Sequence, residues 1–184
     1  MELAVTLLPI MAFIALVAGL LVVFRGTARI AARTREVRQF QVGVKALTAL
    51  ADASLAAAAE RIDAVRHNQA GPELIGQAVL EATEALEPLV EGAKALRGPR
   101  RASAIRDDLV AELDRAVRAL GMVEHGANML AASRRGSRDL EAQTSIKRGY
   151  LNLIHTREAI ARQALRADDL KVEESPPERP PFGA

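Results

Sequence analysis

The chain has 184 residues, no cysteine, and 25 Lys and Arg against 23 Asp and Glu, for a formal net charge of +2. Its length suits one domain of roughly 100 to 150 residues with an anchor and a tail, and argues against two large soluble domains. Without cysteine there is no disulfide framework, thiolate metal site or cysteine nucleophile. A pI near 9.4 is no nucleic-acid signature, because three His and one Tyr leave little to titrate between neutrality and lysine. Beyond Phe24 the aromatics are only Phe40, Tyr150 and Phe182, too few to stack bases, and no nucleic-acid partner is expected.

The first element is LAVTLLPIMAFIALVAGLLVVF, Leu3 to Phe24, without a charge. As a helix it spans about 33 Å, enough to cross the hydrocarbon core. Its fourteen Leu, Ile, Val and Phe residues favour insertion by roughly 4 to 8 kcal/mol. Only Glu2 precedes it, whereas Arg25, Arg29, Arg33, Arg35 and Arg38 follow, opposed by Glu36. The excess of positive charge after the segment predicts a single-pass protein of the plasma membrane, N-terminus outside and bulk cytoplasmic. A cleaved signal peptide is the rival reading; its basic leading region is missing and Arg25 stands where small residues are wanted.

Arg25, Arg29 and Arg33 recur every fourth position, so on a helix they form one stripe toward anionic headgroups; the plainer reading is a topology signal. Ala15 and Gly19 make a small-xxx-small pair that would seat a second anchor helix. The expected divisions are an anchor over 1–25, a basic juxtamembrane segment over 26–36, a helical bundle over 37–169 and a proline-rich tail over 170–184. Gly26 is the only soft point before Val37, and whether the anchor continues into the first bundle helix is open.

Breakers at Asn68 to Pro72, Arg97 to Pro99 and Arg134 to Ser137 divide the rest into four helical segments. The first carries a seam of Val37, Phe40, Val44, Leu47, Ala51, Leu55, Ala58, Ile62 and Val65, and the second one of Ile75, Val79, Ala82, Leu86, Leu89, Ala93 and Leu96. In the third the apolar positions are Ile105, Leu109, Leu113, Val117, Leu120, Val123 and Leu130. The fourth offers a broader apolar face: Leu140, Ile146, Tyr150, Leu151, Leu153, Ile154, Ile160, Ala161 and Leu165. Pro72 and Pro99 fit first-turn positions, Ser103 and Ser137 fit caps, and Pro88 predicts a kink near Glu84 to Glu87. Short breaks favour antiparallel neighbours, so the fold class is all-α: an N-terminal transmembrane helix, then a cytoplasmic up-down four-helix bundle or antiparallel coiled coil. Many seam positions are Ala, a lean core that calls for tight packing or self-association. The tail, EESPPERPPFGA, is too polar and proline-rich to fold; it is an inert end or a polyproline ligand.

Reaction chemistry is hard to find. Di-iron bundles use Glu-x-x-His, but the residues three before His67, His125 and His155 are Ala64, Met122 and Asn152. No zinc pattern, phosphate loop, nucleotide glycine fingerprint or serine elbow occurs, and neither cofactor nor catalytic residue is expected. His155, followed by Thr156, Arg157 and Glu158, is the best phosphoacceptor, although its surroundings match no phosphotransfer motif. Arg100-Arg101-Ala102-Ser103 and Arg134 to Ser137 look like basophilic kinase sites, yet both Ser residues stand where caps are wanted. The second helix carries Glu81, Glu84, Glu87 and Glu91, an acidic face that would dock a basic partner.

In layout alone, an outside N-terminus, one anchor and a cytoplasmic helical bundle are similar to the LemA-type membrane proteins, whose Asn, Trp and Ile-Pro-Asn-Leu-Val landmarks are absent here. The expected function is a membrane-tethered, non-enzymatic scaffold or adaptor that binds another protein or itself, besides membrane lipids. The alternatives are a sensor or small-ligand bundle relaying a signal, and a phosphotransfer module built on His155.

Overall fold

A computed structural model describes the backbone of residues 2–67, 69–71, 73–132 and 139–170; within 2–30 it describes the side chains of Leu20, Arg25 and Thr27 alone. The elements are α1 (Glu2–Arg66), α2 (Glu73–Ala95), the 3-10 turn η1 (Arg100–Ala102), α3 (Ser103–Ala132) and α4 (Asp139–Asp168). Among the described residues there is no strand. The chain divides into two units, Met1–Arg38 with Lys171–Ala184, and Gln39–Leu170.

In the first unit the backbone is helical from Glu2, through Gly26, as part of α1. Leu20, Arg25, Thr27 and residues 31–36 are exposed. The anchor expected at Leu3 to Phe24 and the tail expected from residue 170 lie almost wholly outside the residues whose side chains are described. Among those that are described, Ala31–Arg66 is long and apolar enough to cross a membrane, with a mean hydropathy of 1.4, and a third of its most apolar window is buried in protein.

In the second unit, four helices share one core. From Phe40 to Val65 the first seam is buried except at Leu47, and Ile75 to Ala93 does the same for α2. α3 adds Ile105, Leu109, Leu113, Leu120 and Val123. Residues that meet across helix pairs rise along one helix as they fall along the other. Lys45 pairs with Asp168, Asp52 with Arg157, and Arg66 lies over the Tyr150 ring. Leu96 packs on Gly43 and Leu47 on Gly92, while Arg61 pairs with Glu81. Between α3 and α4, Asp108 pairs with Arg166 and Ser145 Oγ donates to the Met122 carbonyl oxygen.

α4 departs from the sequence reading. Leu140, Leu151, Ala161 and Leu165 are exposed, and the buried stripe is Ala142, Ile146, Gly149, Leu153, Thr156, Ile160, Gln163 and Ala167. These positions follow steps of 4 and 3 without interruption, a heptad seam that includes residues no hydrophobic scale selects. Glycine at Gly149, and at Gly126 on the facing α3, has a cause, since each leaves no room for a methyl group against the facing backbone. A larger seam residue would push α3 and α4 apart.

Helix ends differ as well. Pro99 precedes η1, and η1 runs on into α3, so Ser103 already has helical dihedrals and donates its hydroxyl to the Arg100 carbonyl oxygen. It is not an N-cap. Ser137 and Pro72 lie outside the described residues. α2 continues through Pro88, whose ring is exposed, so the carbonyl of Glu84 that loses its helical donor stands at the solvent side.

Candidate functional site

The second half of α1 is apolar on two opposite faces. Inward, Val44, Ala51, Leu55, Ala58 and Ile62 are 0 to 2% exposed. Outward, Ala46, Ala49, Ala53 and Ala57 are exposed, and Val42 and Leu50 stand 61% and 59% open. From Val42 to Ala57 this outward face carries no charge; Gln39 precedes it and Glu60 follows it. On one flank the charges pair with α4, with Lys45 Nζ 2.8 Å from Asp168 Oδ1 and Arg157 Nη2 2.8 Å from Asp52 Oδ1. Arg61, on the other flank, pairs with Glu81 of α2. Between these charged flanks, the stretch Val42 to Ala57 is covered on its inward face and open on its outward face among the described residues.

The acidic residues of α2 lie on the solvent side, all four exposed. They are not equivalent. Glu81 accepts from Arg61 and from Gln77 Nε2 at 2.9 Å, and these contacts hold its carboxyl below the usual glutamate range. Glu91 holds Lys94 Nζ at 2.8 Å and raises that ammonium. Glu84 and Glu87 have no ion-pair partner among the described residues. With Leu80, which is 59% exposed, they and Glu91 follow one another in steps of 4, 3 and 4 along the outer ridge of α2.

Of the basic juxtamembrane residues, Arg25, Arg33, Arg35 and Arg38 are exposed, and the side chain of Arg29 lies outside the described residues. His155 is exposed on α4. His67 faces Asp63 at the end of α1, and His125 is exposed on α3. Among the described residues no three His, Asp or Glu side chains gather as metal ligands. A groove of about 430 Å³ opens to solvent between α3 and α4, with Met122, His125 and Met129 on one wall and Leu140, Glu141 and Arg148 on the other.

Inside the core, polar groups are few. Thr48 Oγ1 donates to the Lys45 carbonyl oxygen, Gln163 accepts from Arg166, and the Thr156 hydroxyl is buried with no partner among the described residues. The structure therefore brings together two outward faces, the uncharged one of α1 and the acidic one of α2, separated by the Arg61–Glu81 pair. The α1 face was not singled out from the sequence. Its signal is a second seam of Val42, Ala46, Ala49, Ala53 and Ala57, in steps of 4, 3, 4 and 4, hidden beside the stronger inward one. No family model matches the chain, and neither a curated protein nor a solved structure matches it.

Proposed function

We propose that this protein is a membrane-tethered, non-enzymatic helical scaffold whose outer surface binds other protein. In this reading Leu3 to Phe24 is the tether, the N-terminus lies outside, and Gln39 to Leu170 is a cytoplasmic up-down four-helix bundle. Twenty-two uncharged residues followed by arginines support the tether and its sense. Arg25, Arg29, Arg33, Arg35 and Arg38 lie against anionic headgroups, each contributing on the order of 1 kcal/mol.

The observation that carries the scaffold reading is the outward face of α1. Val42 and Leu50 stand exposed among alanines over four turns, an apolar strip that supports reading this face as a contact surface. The ridge of Leu80, Glu84, Glu87 and Glu91 adds a second surface suited to a basic partner.

The test is photo-crosslinking in native membranes from a reactive side chain at Leu50, at Leu80 or at Leu165. Protein adducts from Leu50 and Leu80 in excess of those from Leu165 agree with the proposal. Adduct yields no higher than from Leu165 contradict it. The Glu84→Lys, Glu87→Lys double variant is expected to lose the Leu80 adduct; an unchanged adduct discards the acidic face.

A further inference from the structure

We propose that the outward face of α1, from Val42 to Ala57, seats the same face of a second copy of this chain, the two helices parallel. The inference rests on the membrane tether for its parallel sense, because two anchors in one bilayer enter their bundles in the same direction.

Three occupants compete for an uncovered apolar helix face: lipid, an unrelated protein and a second copy. Lipid is excluded by the rim. Lys45–Asp168 and Asp52–Arg157 run along one edge and Arg61–Glu81 along the other, so sinking the strip into hydrocarbon would drag six charged groups with it. An unrelated partner is selected by a charge code or a shaped pocket. Here the strip carries no charge, and its rim charges are already paired within the chain. A second copy brings an identical neutral strip with identical satisfied edges, which is what a twofold isologous contact requires.

The side chains suit that geometry. Ala46, Ala49, Ala53 and Ala57 allow two helices to approach closely, and Val42 and Leu50 are the knobs that enter the spaces beside them. Glu60 ends the strip, since in a parallel pair it would face its own copy. The contact is short, about 23 Å along the helix, and smaller than the ~800 Å² per partner of a stable soluble dimer. Pairing therefore depends on the high local concentration that co-tethered chains share.

Because the chain has no cysteine, single cysteines report the contact directly. Full-length chains carrying Ala46→Cys or Ala53→Cys are oxidised in membranes beside Leu140→Cys and Leu165→Cys, both exposed on α4 and outside either proposed surface, as collision controls. Disulfide dimer from the strip positions is expected at about ten times the control yield or more. Adding Leu50→Glu to the Ala46→Cys chain, an exposed change that spares the core, is expected to bring its yield down to the control level. Equal yields at all four positions, or a yield that survives Leu50→Glu, overturns the inference. Retention in the membrane is read separately: retained chains without strip-selective dimers sink the pairing alone, whereas chains that wash off sink the tether and, with it, the parallel pairing that depends on it.

Discussion

Gly149 on α4 lies so close to Val123 on α3 that a Cβ in place of its hydrogen would stand 2.6 Å from Val123 Cγ2 and 2.9 Å from the Ala119 carbonyl oxygen. Gly126 mirrors it from the other helix, with 2.8 Å to the Ala142 carbonyl oxygen and 3.0 Å to the Ile146 nitrogen. Backbone, unlike a flexible side-chain tip, cannot rotate away, so these two positions set how near α3 and α4 come.

Gly149→Ala and Gly126→Ala are therefore expected to destabilise the bundle by about 1 to 3 kcal/mol through overpacking, against the ~1 kcal/mol that Ala adds to helix propensity. Gly121, exposed on the same α3 with nothing within 4 Å of an added Cβ, is the control. Gly121→Ala is expected to stabilise by up to about 1 kcal/mol. Denaturant unfolding followed by circular dichroism separates the two signs.

Thr156 occupies a core position with its hydroxyl buried and unpartnered among the described residues. Thr156→Val keeps the branched shape and removes the orphaned group, so the bundle is expected to gain about 1 kcal/mol. A loss of stability in the same unfolding measurement would mean that the hydroxyl has a partner.

The seam assignment of α4 makes opposite predictions for its leucines. Leu153, fully buried, is expected to cost about 2 to 5 kcal/mol as Leu153→Ala. Leu140 and Leu165, 79% and 66% exposed, are expected to change stability by no more than about 0.5 kcal/mol as Leu→Gln. Comparable losses at all three would restore the broad apolar face.

Glu81 gives a pH signature. Its carboxyl is held below the ordinary value near 4.5 by the hydrogen bond from Arg61, then by that from Gln77. The folded state binds the proton more weakly than the unfolded state, so this contact contributes in full above the ordinary value and is lost as pH falls through the lowered one. The melting-temperature difference between the native chain and Glu81→Gln is expected to be constant near neutrality and to shrink below pH 4.5. A difference that grows toward acid would contradict the assignment.

Much of this was legible in the residues. Breakers at Asn68 to Pro72 and Arg97 to Pro99 bound α1 and α2 because glycine and proline fall together there, whereas Gly26 and Pro88, standing alone, lie inside helices. The inward seams of the first two helices were readable for the same reason that they are buried: large apolar residues recur at heptad steps. α4 was misread because Gly149, Thr156 and Gln163 look polar or neutral and so drop out of an apolar pattern, although all three are buried, Gly149 because α3 approaches too closely there for a side chain. Ser103 was read as a cap, since nothing local showed that η1 would extend the helix by a turn. The glutamates of α2 were visible as a pattern, but only three dimensions reveal that Glu81 is engaged by Arg61 and that Glu84 is not. The outward face of α1 was obscured by alanine, which serves both a core and a surface, so its period is weak beside that of the inward seam.

Alkaline carbonate extraction of membranes, with single cysteines at Glu2 and Ala184 labelled by an impermeant maleimide, tests the tether most directly. The full chain is expected to stay in the pellet, with Glu2→Cys labelled from outside intact cells and Ala184→Cys labelled only after lysis. A chain released into the supernatant without detergent, or Ala184→Cys labelled in intact cells, would contradict the tethered cytoplasmic scaffold.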